Sequence, residues 1–287
     1  MENDPFPPLA ANSARQNMSL KKFSPPIEIV LMKITVCLKL VPATTADIRV
    51  AADGKSLQLA GVEMLVNPYD EFALEAALKL REGAPGSTIQ AVTVGGDDAI
   101  KCMQHAFSLG ADSGVHIKAP GVDAHGAAKL VAALLKTDPP DVVLCGRQAV
   151  DDDGWQFPGA LAEALDFAHA TAIATLAVTD TGFQCKRRVE GAEQTLSIAK
   201  PAVLSCDKGL NEPRAPTLKG RLDAKKKQPV LKTPGDLGVS DADLAPDLIV
   251  VKYSPPAQKN PGRVIEGDPA KAAAELVSLL RNEAKII

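Results

Sequence analysis

Three consecutive carboxylates, Asp151, Asp152 and Asp153, stand between a cation, Arg147, and two aromatic residues, Trp155 and Phe157. A run of acids suits a cation site, a set of acceptors for sugar hydroxyls, or a solvated helix cap. The calcium-loop pattern fails here, because Trp155 occupies the place of a third oxygen ligand. The flanks narrow the choice. Before the acids lies an apolar run at residues 142–145, ended by Gly146. After them come Pro158, Gly159 and apolar Leu161, Ala164 and Leu165 at helical spacing. Strand, loop and helix in that order is how open α/β sheets hold small ligands at the carboxyl ends of their strands. The amides of the helix start suit a phosphate. With three carboxylates nearby, backbone amides rather than cations would have to hold it, and the acids would turn to ribose, adenine or backbone donors. Taken bare, the acids read as a solvated cap and Arg147 as a surface ion pair.

Other chemistry is missing from the chain. It has no GxxxxGK[ST] phosphate loop, no GxGxxG after a strand and no GxSxG elbow. Gly95-Gly96-Asp97 follows a strand, but two glycines are a weak signal. The histidines (His105, His116, His125, His169) lack zinc-ligand spacing. The five cysteines are an odd number without a CxxC, which points to reduced thiols in a cytosol-like compartment. A net charge of -3 argues against nucleic acid. No apolar run approaches the roughly 20 residues that span a bilayer.

The elements that must position the loop alternate between strand and helix. Strands are expected at residues 34–38, 89–94, 115–118 and 142–145. Helices are expected from Asn67 to Gly83, at 99–109 and at 127–136. Asn67 is a good N-cap and Pro68 suits the first turn, with Asp70 and Glu71 favoured by the helix dipole. Asp53-Gly54 between short alternating runs signals a hairpin. This alternation predicts an α/β fold, doubly wound around a mainly parallel sheet. Residues 175–179, 183–189, 195–199 and 202–205 read as a mostly antiparallel extension. From residue 207 to 247 periodicity is lost among prolines and the basic run Lys225–Lys227, which predicts an arm lying on another protein. A short strand at 248–252 and a helix at 271–280 close the chain. Residues 1–32 are expected to be a disordered extension, and residues 33–206 the nucleotide-binding domain. Residues 207–232 form the arm and 233–287 a C-terminal arm and helix.

Several segments in collinear order, over about residues 33 to 284, carry a resemblance. They are KITVCLKLV at 33–41, NPYDEFALEAA from Asn67, GADSGVHI, GRQAVDDDGWQ from Gly146, KPAVLSCDKGLNEPRAPTL from Lys200, AKKK at 224–227 and PGDLGV at 234–239. Together they resemble the beta subunits of electron transfer flavoproteins. That resemblance implies a noncatalytic, cytoplasmic electron carrier that pairs with an alpha subunit holding most of the redox FAD. It also implies AMP in this subunit, or a second FAD in bifurcating relatives. Electrons would come from acyl-CoA or related dehydrogenases and pass to a membrane quinone oxidoreductase.

By position, the resemblance places nucleotide contacts at Cys37, at Asn67, Pro68, Tyr69 and Asp70, and at Val94. It places the rest on the loop: Gly146, Arg147, Gln148, Ala149, Val150, Asp151, Asp152, Asp153, Gly154, Trp155, Gln156 and Phe157. Without it, Asn67 is a plain cap, and Cys37 and Val94 plain core. The partner-docking arm falls on Arg214 and Leu218. The sequence departs from the family at Trp155, where the loop usually continues as Asn-Gln-Thr, and at Thr44, Arg188 and Ala215. The rival class is an enzyme that cleaves or transfers ATP phosphates. Against it, Leu40-Val41-Pro42 stands where a Gly-Ser-rich pyrophosphate loop would follow the first strand.

Overall fold

The structure, a computed structural model, describes residues 31–246, 248–257 and 262–287. The extension expected at residues 1–32 lies outside the described residues up to residue 30. Met32, at its end, is buried, and its amide donates to Ser87 Oγ at 3.0 Å.

In chain order the strands are β1 (Lys33–Cys37), β2 (Leu40–Pro42), β3 (Arg49–Val50), β4 (Leu57–Gln58), β5 (Met64–Val66), β6 (Thr88–Gly95) and β7 (Ser113–Lys118). They continue as β8 (Val142–Gly146), β9 (Ala168–Thr179), β10 (Gly182–Val189), β11 (Ala192–Ala199), β12 (Ala202–Cys206) and β13 (Val230–Lys232). The helices are α1 (Pro68–Gly83), α2 (Ile100–Leu109), α3 (Ala124–Leu135), α4 (Phe157–Leu165), α5 (Leu218–Ala224) and α6 (Pro269–Asn282). Contacts divide the chain into two units: Met1–Val41 with Leu65–Pro246, and Pro42–Met64 with Asp247–Ile287. The expected boundaries cut the chain differently, at 206 and 232.

In the first unit nine strands make one sheet, ordered β11-β10-β9-β12-β8-β1-β6-β7-β13. Its centre is parallel: β1 pairs with β6 and β8, and β12 with β8. β8 is a continuous apolar run and β1, β6 and β12 are mainly apolar, as strands covered on both faces require. Successive side chains leave a strand on opposite faces, and two cores result. Ile34, Val36 and Leu144 meet Leu74 and Leu78 of α1 and Met103 of α2. Cys37, Val92, Val143 and Cys145 meet Leu130 and Val131 of α3 and Leu161 of α4 on the other side. The doubly wound, mainly parallel α/β architecture is thus as expected.

Four local expectations are corrected. Residues 202–205, read as part of the mostly antiparallel extension, belong to β12, which inserts between β8 and β9 and runs parallel to both. Residues 207–246 are not without structure. Thr217 caps α5 by accepting from Gly220 N at 3.0 Å, and β13 extends the sheet beside β7. Both elements are too short to leave a periodicity, and packing supplies what local preference cannot. The strand expected at 248–252 is absent among the described residues. Gly83 lies inside α1, and the Ala84 amide closes the helix on Leu80 O and Arg81 O.

In the second unit β3 and β4 form the hairpin read from Asp53-Gly54. Tyr253 N donates to Gly54 O at 2.7 Å. Asp268 caps α6 at Ala270 N and Lys271 N, 3.1 and 3.3 Å. No residue of α6 is buried, and Leu248, Ile249, Val251, Val264, Ile286 and Ile287 are also exposed. Among the described residues no helix is long and apolar enough to cross a membrane.

Candidate functional site

The carboxyl ends of β1, β6 and β8 leave a crevice of about 150 Å³ against α3 and the loop before α4. Asp70, in the first turn of α1, holds two of those strand ends together. Its Oδ2 accepts Lys39 N at 2.8 Å and its Oδ1 accepts Gly146 N at 2.9 Å. The side chain is buried. Burial pushes its pKa up, against hydrogen bonds from Lys39, Asn67 and Gly146, to about 7. Residue 146 must be glycine here: a Cβ would stand 2.4 Å from Asp70 Oδ1 and 2.8 Å from the Tyr69 backbone.

Asn67 occupies the N-cap position but its side chain does not cap the helix. Its Nδ2 donates to Gln148 O at 2.9 Å, and Val150 N donates to its Oδ1 at 3.2 Å. A buried carboxamide thus clasps the start of the acidic loop. The reading of Asn67 as a plain cap is corrected, since the loop's part-buried backbone groups take their partners from it.

The three acids are mostly paired. Lys39 Nζ lies 2.8 Å from Asp151 Oδ1 and 2.9 Å from Asp152 Oδ2. Burial would lower the Lys39 pKa, but the two carboxylates outweigh it and raise it overall. Gln148 Nε2 donates to Asp153 Oδ1. Gly154 N donates to Asp152 Oδ1 at 2.9 Å. Arg147 is no simple surface ion pair. It meets Asp207 at 2.9 Å, Tyr69 Oη at 3.0 Å and Gln148 Oε1 at 3.0 Å. Its guanidinium lies between two rings, 4.7 Å from the Tyr69 centroid and 4.5 Å from that of Trp155. Trp155 has φ 55, a left-handed conformation uncommon for a bulky residue, and stays half-exposed.

Of the residues singled out from sequence, Cys37, Asn67, Asp70, Val94, Gly146, Gln148, Ala149, Asp152, Gly154, Trp155, Gln156 and Phe157 line the crevice. Pro68, Tyr69, Arg147, Val150, Asp151 and Asp153 do not line it; several brace it from behind. Burial raises the thiol pKa values of Cys37 and Cys145, so both stay protonated. Sequence reasoning missed Lys39, although it directly follows the first strand. It also missed the start of α3, where Val122, Asp123, Ala124 and Ala127 complete the wall. The signal for the latter was Asp123, whose side chain caps α3 at Gly126 N, one turn before the expected start.

The model of the electron transfer flavoprotein domain matches residues 56–234. The electron transfer flavoprotein subunit beta of Bradyrhizobium diazoefficiens is 36% identical over 257 residues, 89% of this chain and 100% of that protein. The chain belongs to the electron transfer flavoprotein beta-subunit family. The corresponding subunit of Bacillus subtilis is 36% identical over 83% of this chain and 94% of its own length. That of Homo sapiens is 32% identical over 82% of this chain and 93% of its own. The matched domain takes in the acidic loop of this beta-subunit family member and also Arg214 and Leu218. Arg214 is engaged within the chain, with Glu75 at 2.8 Å and Glu82 at 2.6 Å. Leu218 opens α5 and is 77% exposed.

Proposed function

We propose that this chain is the noncatalytic beta subunit of a heterodimeric, cytoplasmic electron carrier and holds AMP as a structural group in the crevice between β1, β6, β8 and α3. The crevice carries the reading, because its residues fit the parts of that nucleotide. Val92, Val94, Val122 and Val131 offer an apolar wall to adenine. Asp152 and Gln148 offer acceptors or donors to ribose. Lys39 is shared by two carboxylates, which leaves the amides of the loop and the start of α4 to receive the phosphate. AMP supplies no redox chemistry when bound. This chain's residues orient it and exclude water.

The redox FAD belongs mainly to an alpha subunit, and the exposed apolar residues of the second unit suit burial against such a partner. Leu218, on an element flanked by cations, suits docking to an acyl-CoA or related dehydrogenase. A membrane quinone oxidoreductase is the acceptor. Coexpression with an alpha-type partner and mass spectrometry of the released small molecules tests the reading. One AMP and one FAD per heterodimer is the expected result. FAD without AMP, or two FAD, would remove AMP from the crevice.

A further inference from the structure

Helix α1 buries a second acidic residue besides Asp70. Glu75 is 4% exposed, amid Ala73, Leu74, Ala76 and Ala77. A buried carboxylate is unfavourable unless it is paired and hydrogen-bonded. Its partner comes from 139 residues later in the chain. Arg214 Nε and Nη2 each reach a Glu75 oxygen at 2.8 Å, and the Arg214 amide reaches Oε2 at 3.3 Å. Arg214 Nη1 also meets Glu82 at 2.6 Å. A forked contact of this kind fixes direction as well as distance.

Arg214 leads the chain into the short helix α5. Seven residues do not form a stable helix unaided. It is seated on α2: a Cβ at Gly220 would stand 2.2 Å from Ser108 O. Beyond its end, Lys227 Nζ donates to Ala111 O at 2.6 Å and lies 5.6 Å from the Phe107 centroid. The element is therefore tied down before and after. Yet Leu218 and Leu222, one turn apart on one face, stay 77% and 53% exposed. Lys219, Arg221, Lys225 and Lys226 stand near them in sequence, Lys226 paired with Asp223 at 3.0 Å.

We propose that Arg214 and Glu75 are positioning residues: a clamp that holds α5 in the orientation in which Leu218 and Leu222 enter an apolar, carboxylate-rimmed pocket on the electron-donating dehydrogenase. The inference rests on the proposed role of Leu218 in docking. Arg214 works from inside its own subunit rather than as a contact to the partner. A pre-set helix spares the complex the ordering of that segment on binding, and two well-desolvated leucines can carry much of the binding energy.

The test is steady-state reduction of the heterodimer by its dehydrogenase, with heterodimer as the varied substrate. Glu75→Gln and Arg214→Lys should each raise KM about tenfold and leave kcat and flavin content unchanged. Amide hydrogen exchange at residues 218–227 should quicken in both. Arg214→Lys leaves Glu75 a cationic partner, so it keeps the test open if Glu75→Gln does not fold. Leu218→Ala is the reference. If Leu218→Ala raises KM and neither clamp variant does, the clamp is overturned while docking stands. If Leu218→Ala changes nothing, the docking reading fails and takes the clamp with it. A parallel fall in kcat and flavin content in the clamp variants would mark a merely structural pair and also overturn the proposal.

Discussion

The carboxylate of Asp70 and the amide of Gly146 meet at 2.9 Å, and a methyl group at residue 146 would stand 2.4 Å from the same oxygen. One contact thereby ties the start of α1 to the end of β8 and forbids a side chain between them. Gly146→Ala should destabilise the fold by about 1–3 kcal/mol, as forced overpacking does. It should also displace the loop that begins there. Urea unfolding checks the first effect and retained nucleotide the second.

Asp70 makes stability depend on pH. Its folded pKa, about 7, lies above the ordinary carboxylate range, so the native state holds the proton more tightly than the unfolded chain. The stability it contributes is complete below about pH 4 and is lost as pH rises through 7. Relative to Asp70→Asn, the ligand-free protein should lose stability over that window, by up to about 4 kcal/mol. Denaturant midpoints measured at several pH values give the slope, and carboxyl NMR gives the midpoint. A carboxyl signal that titrates near 4 would contradict the burial argument.

Trp155 is the one tryptophan of the sequence and lines the crevice while stacked on Arg147. Its fluorescence in the isolated chain should change when AMP is added. Arg147→Lys removes the planar group that the ring rests on. That variant should shift the emission to longer wavelength and weaken nucleotide binding several-fold by titration.

Replacing Asp151 and Asp153 with Asn removes one of the two carboxylates that Lys39 meets and the one that Gln148 meets. The double variant should purify without nucleotide, as mass spectrometry would reveal, while its far-UV spectrum stays unchanged. Retained nucleotide would mean that the loop only caps α4.

Much of the frame is legible in the order of residues alone. β1 and β6 are mainly apolar, β8 is a continuous apolar run, and the loop after β8 is marked by Gly146 and the acids. Those signals are local: a strand buried on both faces needs apolar residues in a row, and a ligand loop needs a stop and a polar turn. Asp70 and Asn67 are legible as belonging to the right region, but the cap read for Asn67 from local pattern is a clasp on the loop. A cap and a clasp call for the same residue type, and only the neighbouring loop decides between them.

The sequence by itself determined the alternation of strands and helices, the strand ends where a ligand could sit, and the family. Only the tertiary structure decided that Lys39 meets Asp151 across 112 residues and that Arg214 meets Glu75 across 139. It alone seated α5 and β13, which are too short to be stable without the surfaces they rest on. The physical reason is one of range. Periodicity and capping act within a few residues, whereas an ion pair or a seated short helix exists only after the chain's path has brought distant partners together.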